Sequence, residues 1–174
     1  MNAAAEVREA NEGDVAALSL VGSATFLETF AGLLDGPAII AHCMTRHGAE
    51  YYRAALGSGC RAFLAEAIPG RAPVGFALVG DPDLPVAEDG DLELKRIYLL
   101  SRYQGGGIGS ALMQKALEAA ASYRRLLLGV FAGNEQAQAF YEGKGFEPVG
   151  KRAFDVGGVP YEDTIYAKMI VTNA

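Results

Sequence analysis

Four glycines fall within five positions of the stretch YQGGGIGS, residues 103–110. The apolar run LELKRIYLL precedes this stretch, and the helical pattern ALMQKALEAAASY follows it. Because glycine lacks a Cβ, its backbone can bend sharply and let a ligand approach the N–H groups that the first turn of a helix leaves unpaired. A plain connection needs no such run, since each glycine costs conformational entropy on folding. The stretch therefore predicts a strand that turns into a helix around an anion-binding backbone.

The rest of the chain alternates between strand and helix patterns. Apolar residues at helical spacing predict helices over 14–34, over 37–56, from the glycine run to about residue 123, and over 134–142. Strand patterns bounded by turn residues occupy seven segments: 6–11, 60–68, 73–81, 92–100, 125–131, 146–154 and 161–171. The 174 residues suit one well-buried domain. We therefore predict a single α/β domain over 1–174, built on a mixed, mostly antiparallel sheet with flanking helices.

Composition argues against several classes of protein. The formal net charge of −6 disfavours a nucleic-acid binder, which would present a basic face. The first fourteen residues have neither a basic start nor an apolar core, and no apolar run approaches a membrane span, so we expect neither a secretory signal nor membrane association. Cys43 and Cys60 lack metal-ligand spacing, and no metal is expected. These features predict a cytoplasmic protein.

The glycine run does not fit two common phosphate-binding motifs. A P-loop needs Lys and then Ser or Thr after its last glycine, whereas Ser110 follows Gly109 directly. The dinucleotide fingerprint, counted from Gly105 and Gly107, requires glycine or alanine where Ser110 stands, and no acidic ribose ligand follows at the usual distance. The pattern Gln-x-x-Gly-x-Gly does fit, with Gln104 at its first position.

This pattern, in the context IYLLSRYQGGGIGSALM, resembles the acetyl-coenzyme A loop of the GNAT acyltransferase superfamily. Downstream, NEQAQAFYEGKGFEPVG resembles the superfamily's Asn-led helix, its Phe-Tyr pair and its Gly-Phe strand entry. The resemblance is strong over 92–146 and looser over 60–170. It implies a GNAT fold, in which the fourth and fifth strands splay apart and the pantetheine arm of acetyl-CoA enters the gap as an added strand would.

The resemblance also implies which residues bind acetyl-CoA. The fourth strand would pair its free backbone groups with pantetheine, and the glycine loop would hold the pyrophosphate through its N–H groups. An asparagine at the start of the next helix would bond the pantetheine and cap that helix. The implied residues are Ile97, Tyr98 and Leu99 on the strand, Gln104, Gly105, Gly106, Gly107, Ile108, Gly109 and Ser110 in the loop, and Asn134 at the helix.

Two catalytic residues follow from the same resemblance. Tyr141, two helical turns after Asn134, would support the departing thiolate; a phenol is a weaker acid than a thiol, so a hydrogen bond that strengthens as charge grows on sulfur describes this role. Glu93 stands eleven residues before Gln104, as a catalytic glutamate does in one branch of the family, and would take the proton of the attacking amine. Other relatives carry a glutamate where Gly129 stands here, which leaves a base from another loop, or water alone, as alternatives.

The segment ATFLETFAGLL lies where the family's first two helices build the wall of the acceptor site. Its Thr-Phe-x-x-Thr-Phe rhythm resembles the bacterial polyamine N-acetyltransferase-like branch, and Glu28 and Asp35 offer carboxylates to a cationic amine. Solvated helix positions are the alternative for both carboxylates. A protein N-terminus or lysine, an amino acid and an aminoglycoside stay open as acceptors.

The function that the resemblance implies is transfer of an acetyl group from acetyl-CoA to a primary amine, in a ternary complex. The alternative from another class is a catalytically silent acyl-CoA sensor or scaffold, and the presence of both implied catalytic residues favours the enzyme. A homodimer is compatible with the resemblance, because dimers are frequent in the family.

Two pairs of residues in the predicted second helix have plainer interpretations. His42 and His47, five residues apart, do not share a helix face and are expected on a solvated surface rather than at a metal. Tyr51 and Tyr52 are expected to be half-buried, and a place in the lining of the acceptor cleft is the alternative.

Overall fold

The computed structural model describes residues 4–170. Its strands are β1 (Ala5–Glu9), β2 (Arg61–Ala67), β3 (Pro73–Gly80), β4 (Asp91–Leu99), β5 (Arg125–Phe131), β6 (Glu147–Val156) and β7 (Val159–Met169). Its helices are α1 (Val15–Phe30), α2 (Gly36–Arg46), α3 (Ala49–Gly57), α4 (Ile108–Ala119) and α5 (Glu135–Gly143). The strands form one sheet in the order β1-β2-β3-β4-β5-β7-β6. No helix in this part of the chain is long and apolar enough to cross a membrane.

The centre of the sheet is open between β4 and β5. All other neighbouring strands pair antiparallel, whereas these two run parallel and pair only where residues 91–93 face residues 125–127. From residue 94 onward, β4 stays paired with β3 but has no strand on its other side. The predicted mixed, mostly antiparallel sheet with splayed fourth and fifth strands is therefore confirmed.

A β-bulge in β4 changes which way its side chains point. The pairing of β3 with β4 shifts between Leu78 and Val79, and this shift leaves Lys95 without a partner. Side chains alternate between the faces of a strand, so one extra residue reverses the alternation beyond it. Glu93 and Arg96 consequently lie on the same face of the sheet.

Helices cover both faces. On one face, Leu112, Met113 and Ala116 of α4 pack into a core with Leu126 and Leu128 of β5. On the other face, Leu18 of α1 and Tyr52 of α3 pack against the residues of β2 and β3. Glu93 and Arg96 lie on this second face, where Arg96 reaches Tyr52 of α3.

The predicted helix over 37–56 is wrong as a single element, because α2 and α3 divide it. The chain becomes extended at Gly48, which has ψ of 156° and is the N-cap residue of α3. A Cβ at Gly48 would lie 2.6 Å from the carbonyl oxygen of Met44, so the turn between the helices requires glycine there. The first helix also ends at Phe30, earlier than predicted.

Candidate active site

A cleft of about 940 Å³ lies where β4 and β5 diverge. It has two parts, on opposite faces of the sheet. We call the part bounded by Phe26, His42, His47 and Tyr51 the helical chamber. We call the part bounded by α5 and by the loop residues Gln104, Gly105, Gly107, Gly109 and Ser110 the loop chamber. The gap between the two strands joins them, so a ligand in one chamber can react with a ligand in the other.

The glycine loop presents unpaired backbone N–H groups to the loop chamber. Gly105 and Gly107 have φ of +77° and +87°, a backbone conformation that favours glycine. The first backbone hydrogen bond of α4 runs from Ala111 N–H to Gly107 O, and within residues 4–170 the N–H groups of residues 105–110 have no acceptor. These donors stand at the N-terminus of a 12-residue helix, whose dipole adds partial positive charge. The loop is therefore suited to bind an anion.

Of the other loop residues, some line the cleft and others hold the loop in place. Gln104 donates from Nε2 to the Leu99 carbonyl oxygen at 3.0 Å, which ties the loop to the end of β4. Ser110 lines the cleft. Gly106 and Ile108 do not line it, and the Ile108 side chain is buried in the core beneath α4. The Ile108 side chain is therefore not available to a ligand in the cleft.

The remaining residues implied for acetyl-CoA also reach the cleft. Ile97, Tyr98 and Leu99 line it on the part of β4 that has no strand on its open side. Asn134 caps α5, because its Oδ1 accepts from the Ala137 N–H at 3.1 Å. The Asn134 Nδ2 has no acceptor within the described part of the chain, so this nitrogen is free to donate to a ligand.

Tyr141 lines the cleft from α5. Its ring is buried against Phe140, Phe146 and Tyr166, at centroid distances of 5.5, 6.0 and 6.4 Å. Burial raises the pKa of Tyr141 well above its ordinary value, and the nearby Tyr98 hydroxyl adds to the rise. The hydroxyl has no hydrogen-bond partner among residues 4–170, so Tyr141 is a neutral donor available to a ligand.

Glu93 is 3% exposed and reaches the same cleft from β4. Its Oε2 accepts from the Asp83 N–H at 3.0 Å and from Lys95 Nζ at 3.2 Å. Burial raises the pKa of Glu93, whereas the Asp83 N–H and the Lys95 ammonium oppose the rise. A buried carboxylate with a raised pKa is a stronger base than an ordinary one, and such groups concentrate at functional sites.

Asp163 of β7 is a second buried carboxylate of the cleft, and the sequence analysis does not identify it. It is 3% exposed; its Oδ2 accepts from Arg152 Nε at 3.2 Å, and its Oδ1 has no partner within residues 4–170. Burial raises the pKa of Asp163, and Arg152 opposes the rise. A Cβ at Gly129 would lie 3.2 Å from Arg152 Nη2 and 3.4 Å from Asp163 Oδ2, so this ion pair lies directly beside the fifth strand at Gly129. The sequence signal is an aspartate whose same-face neighbours, Tyr161 and Ile165, are apolar.

The prediction that His42 and His47 lie on a solvated surface is wrong. They are 7% and 1% exposed, and their ring centroids lie 5.5 Å apart. Because α2 ends at Arg46, His47 belongs to the turn before α3, and helical spacing does not apply to the pair. Burial, together with the Arg96 guanidinium, lowers the pKa of His42 to about 4 and that of His47 to about 2. Both imidazoles are therefore neutral near pH 7.

Arg96 belongs to a hydrogen-bonded cluster that the sequence analysis also missed. Arg96 Nη1 donates to Tyr52 Oη at 2.9 Å and lies 3.1 Å from His47 Nδ1, which is 2.8 Å from the same Oη. Gly22 of α1 makes room for the cluster, since a Cβ there would lie 2.6 Å from His47 Nδ1 and collide with the Tyr52 hydroxyl. Tyr52 is fully buried, contrary to expectation, whereas Tyr51 is half-buried as expected and lines the cleft.

Glu28 and Asp35, the two carboxylates offered to a cationic amine, are both exposed and both accept hydrogen bonds from the backbone. Glu28 lines the cleft, but its oxygens accept from the Ser101 N–H at 2.9 Å and the Ser101 hydroxyl at 2.8 Å. Asp35 caps α2 by accepting from the Ala38 N–H at 3.2 Å, and it does not line the cleft. Their positions give no support to a polyamine acceptor.

Known proteins share this sequence pattern. The family model described as the acetyltransferase (GNAT) family matches residues 33–146. An uncharacterized N-acetyltransferase of Mycobacterium tuberculosis is 38% identical over 96 residues. That match covers 54% of this chain and spans 62% of the length of the relative.

Solved structures share the architecture. The PaiA N-acetyltransferase from Thermoplasma acidophilum, in complex with coenzyme A, matches with a TM-score of 0.75 and 20% identity over 95% of this chain and 99% of that chain. YncA from Salmonella typhimurium, with its cofactor acetyl-CoA, matches with a TM-score of 0.69 and 18% identity over 98% of this chain and 96% of that chain. At these identities the likeness establishes the fold.

Proposed function

The chain belongs to the GNAT acetyltransferase family, and from that membership we propose that it transfers an acetyl group from acetyl-CoA to a primary amine of a small molecule. One observation carries the proposal: an anion-binding loop, an open strand edge, a buried carboxylate and a buried phenol all line a single cleft. Its volume of about 940 Å³ suits a small acceptor beside the arm of acetyl-CoA. The amine would attack the thioester directly while both substrates are bound.

We assign acetyl-CoA to the loop chamber. The unpaired N–H groups of residues 105–110 are donors for its pyrophosphate. The open edge of β4 at residues 97–99 can pair with the amides of pantetheine, as an added strand would. The free Nδ2 of Asn134 adds a donor beside that edge. The two structural relatives support this assignment, since one is bound to coenzyme A and the other to acetyl-CoA.

Acetyl transfer forms a C–N bond and breaks a C–S bond. An ammonium has no lone pair, so the acceptor must lose a proton before or during the attack. We assign that proton to Glu93, because burial has made it a stronger base than an ordinary carboxylate. Tyr141 then donates a hydrogen bond to sulfur as negative charge develops there. Asp163 is the other candidate proton acceptor in the cleft.

Acetyl-CoA binding is the first test of this proposal. At about 100 times its Kd, a ligand that binds only the native state stabilises it by about 2.7 kcal/mol, which for a chain of this length raises Tm by roughly 5–10 °C. Gly109→Val is expected to abolish the rise in Tm. Gly109 lines the cleft at the second position of α4, and a Cβ there would meet only Phe140 Cζ, at 4.0 Å. The valine side chain should therefore obstruct the ligand without disturbing the core.

The matched control is Gly143→Val, at the last position of α5. A Cβ at Gly143 would also meet open space, but Gly143 does not line the cleft, so this variant should keep the full rise in Tm. The rise in Tm on adding acetyl-CoA is measured by thermal unfolding for the wild type, Gly109→Val and Gly143→Val. An undiminished shift in Gly109→Val would refute the assignment of the glycine loop to acetyl-CoA.

A further inference from the structure

Arg96 is a cation of the helical chamber that no carboxylate of the described chain neutralises. The side chain is half-buried and lines the cleft, yet within residues 4–170 no Asp or Glu oxygen lies within 4.0 Å of its nitrogens. Only Nη1 is hydrogen-bonded, to the neutral groups of Tyr52 and His47. Removing a charge from water is unfavourable unless another charge or a set of hydrogen bonds compensates for it. Arg96 therefore lacks a counter-ion.

The carboxylates of the helical chamber already have other partners. Each one accepts from a different donor or lies beside another cation, so none is available to Arg96. The contacts are Glu93 with Lys95 at 3.2 Å, Asp163 with Arg152 at 3.2 Å, Asp83 with Arg152 at 3.6 Å, and Glu28 with the Ser101 N–H at 2.9 Å.

A second arginine lies over the same tyrosine ring as Arg96. Its Cζ lies 4.1 Å from the centroid of the Tyr51 ring, and the Cζ of Arg46 lies 5.5 Å from the same centroid. Arg46 also lines the cleft. His42 and His47 are neutral and contribute no negative charge. This corner of the helical chamber is consequently positive and open to an anion.

We propose that the amine acceptor also carries an oxyanion, and that Arg96 binds this oxyanion in the helical chamber. The proposal rests on the proposed function and narrows its substrate class. Nε and Nη2 of Arg96 have no acceptor within residues 4–170 and are not fully buried. Together they form the planar pair of donors that matches a carboxylate or a phosphate. Arg96 lies on the opposite face of the sheet from the glycine loop, so the oxyanion belongs to the acceptor rather than to the pyrophosphate.

The walls of the chamber indicate the rest of the acceptor. Phe26, Phe30 and Leu33 line the same cleft as the two arginines and offer an apolar surface. An amine with a carboxylate and an apolar side chain, as in an apolar α-amino acid, fits this combination. Spermidine, which has only cationic groups, does not.

The test compares acceptors that differ only in the oxyanion. With saturating acetyl-CoA, kcat/KM is measured for L-leucine against L-leucinamide, for phosphoethanolamine against ethanolamine, and for spermidine. The α-amine of the amide is the weaker base and is more often neutral at a given pH, which biases the comparison against the expected result. A hydrogen-bonded charge pair predicts a preference of about 10- to 100-fold for the oxyanion-bearing member. The two pairs distinguish carboxylate from phosphate.

Arg96→Gln should remove that preference, and Arg96→Lys should restore only part of it, because an ammonium keeps the charge but loses the planar fork. The control is Arg53→Gln, which removes an exposed arginine of α3 that pairs with Glu50 outside the cleft and should keep the full preference. If Arg96→Gln fails to fold, thermal stabilisation of the wild type by N-acetyl-L-leucine against N-acetyl-L-leucinamide decides, with only the acid expected to stabilise.

Three results would overturn the inference: equal kcat/KM for acid and amide, an oxyanion preference that survives in Arg96→Gln, or spermidine as the best acceptor. Each leaves the proposed function standing, since acetyl transfer still occurs. If none of the amines is acetylated, that result would instead contradict the proposed function. In that case the thermal stabilisation of the wild type by N-acetyl-L-leucine, compared with that by N-acetyl-L-leucinamide, still tests whether Arg96 binds an oxyanion.

Discussion

Tyr141→Phe is expected to lower kcat by about 10²–10⁴-fold, the usual contribution of a positioned proton donor. The substitution deletes a hydroxyl that has no hydrogen-bond partner within residues 4–170 and keeps a ring buried against Phe140 and Phe146. Stability and acetyl-CoA affinity should therefore change little. The loss falls on kcat because charge develops on sulfur only as the thioester collapses. Steady-state and single-turnover release of free thiol measure the effect.

Tyr123→Phe is the matched control, because Tyr123 does not line the cleft. The kcat of this variant should equal that of the wild type. Equal single-turnover rates for Tyr141→Phe and the wild type would refute the catalytic role. Weaker acetyl-CoA binding with unchanged turnover would make Tyr141 a binding residue instead.

Glu93→Gln is expected to lower kcat/KM by about 10²–10⁴-fold near pH 7, with a smaller defect as the pH rises. In the wild type the rate should increase with pH as Glu93 loses its proton, and burial shifts that increase to higher pH than an ordinary glutamate would give, because the pKa of Glu93 is raised. Without the carboxylate, the neutral nucleophile forms only when the ammonium of the acceptor loses its proton in solution. The defect therefore narrows as the pH approaches the pKa of the amine. A pH profile of kcat/KM measures it.

Asp163→Asn is the comparison that separates the two buried carboxylates of the cleft. If Glu93 is the base, Asp163→Asn keeps the slope of the wild-type profile at low pH, and only Glu93→Gln loses it. The reverse pattern would assign the proton to Asp163. Unchanged profiles in both variants would leave water as the proton acceptor.

Local features of the sequence made the loop chamber predictable. Residues 103–110 contain glycine at the two positions where φ is positive, and Asn134 stands where a helix needs its cap. These requirements act over a few residues and leave a direct trace in the sequence. The splay of β4 and β5 was expected only from the family resemblance, because it depends on pairing between strands that are more than 30 residues apart.

The helical chamber was not predictable in the same way. Its residues come from α1, α2, α3, β4 and β7, and they meet only in the folded chain. The break at Gly48 places His47 in a turn and not on a helix, and the bulge at Lys95 turns Arg96 toward α3. The helix break and the β-bulge each change the face on which the following side chains lie. Neither feature can be recognised from the pattern of a single sequence. The positions of His47 and Arg96 in the chamber consequently could not be predicted from the sequence.

The most direct test of acetyl transfer combines the wild-type protein, acetyl-CoA and a panel of primary amines, with free thiol and N-acetylated amine quantified in the same samples by thiol titration and mass spectrometry. We expect that at least one amine is acetylated in an amount equal to the thiol released, and that Tyr141→Phe slows both signals together. Binding of acetyl-CoA without acetylation of any amine would contradict it, and would identify the protein as an acyl-CoA sensor or scaffold.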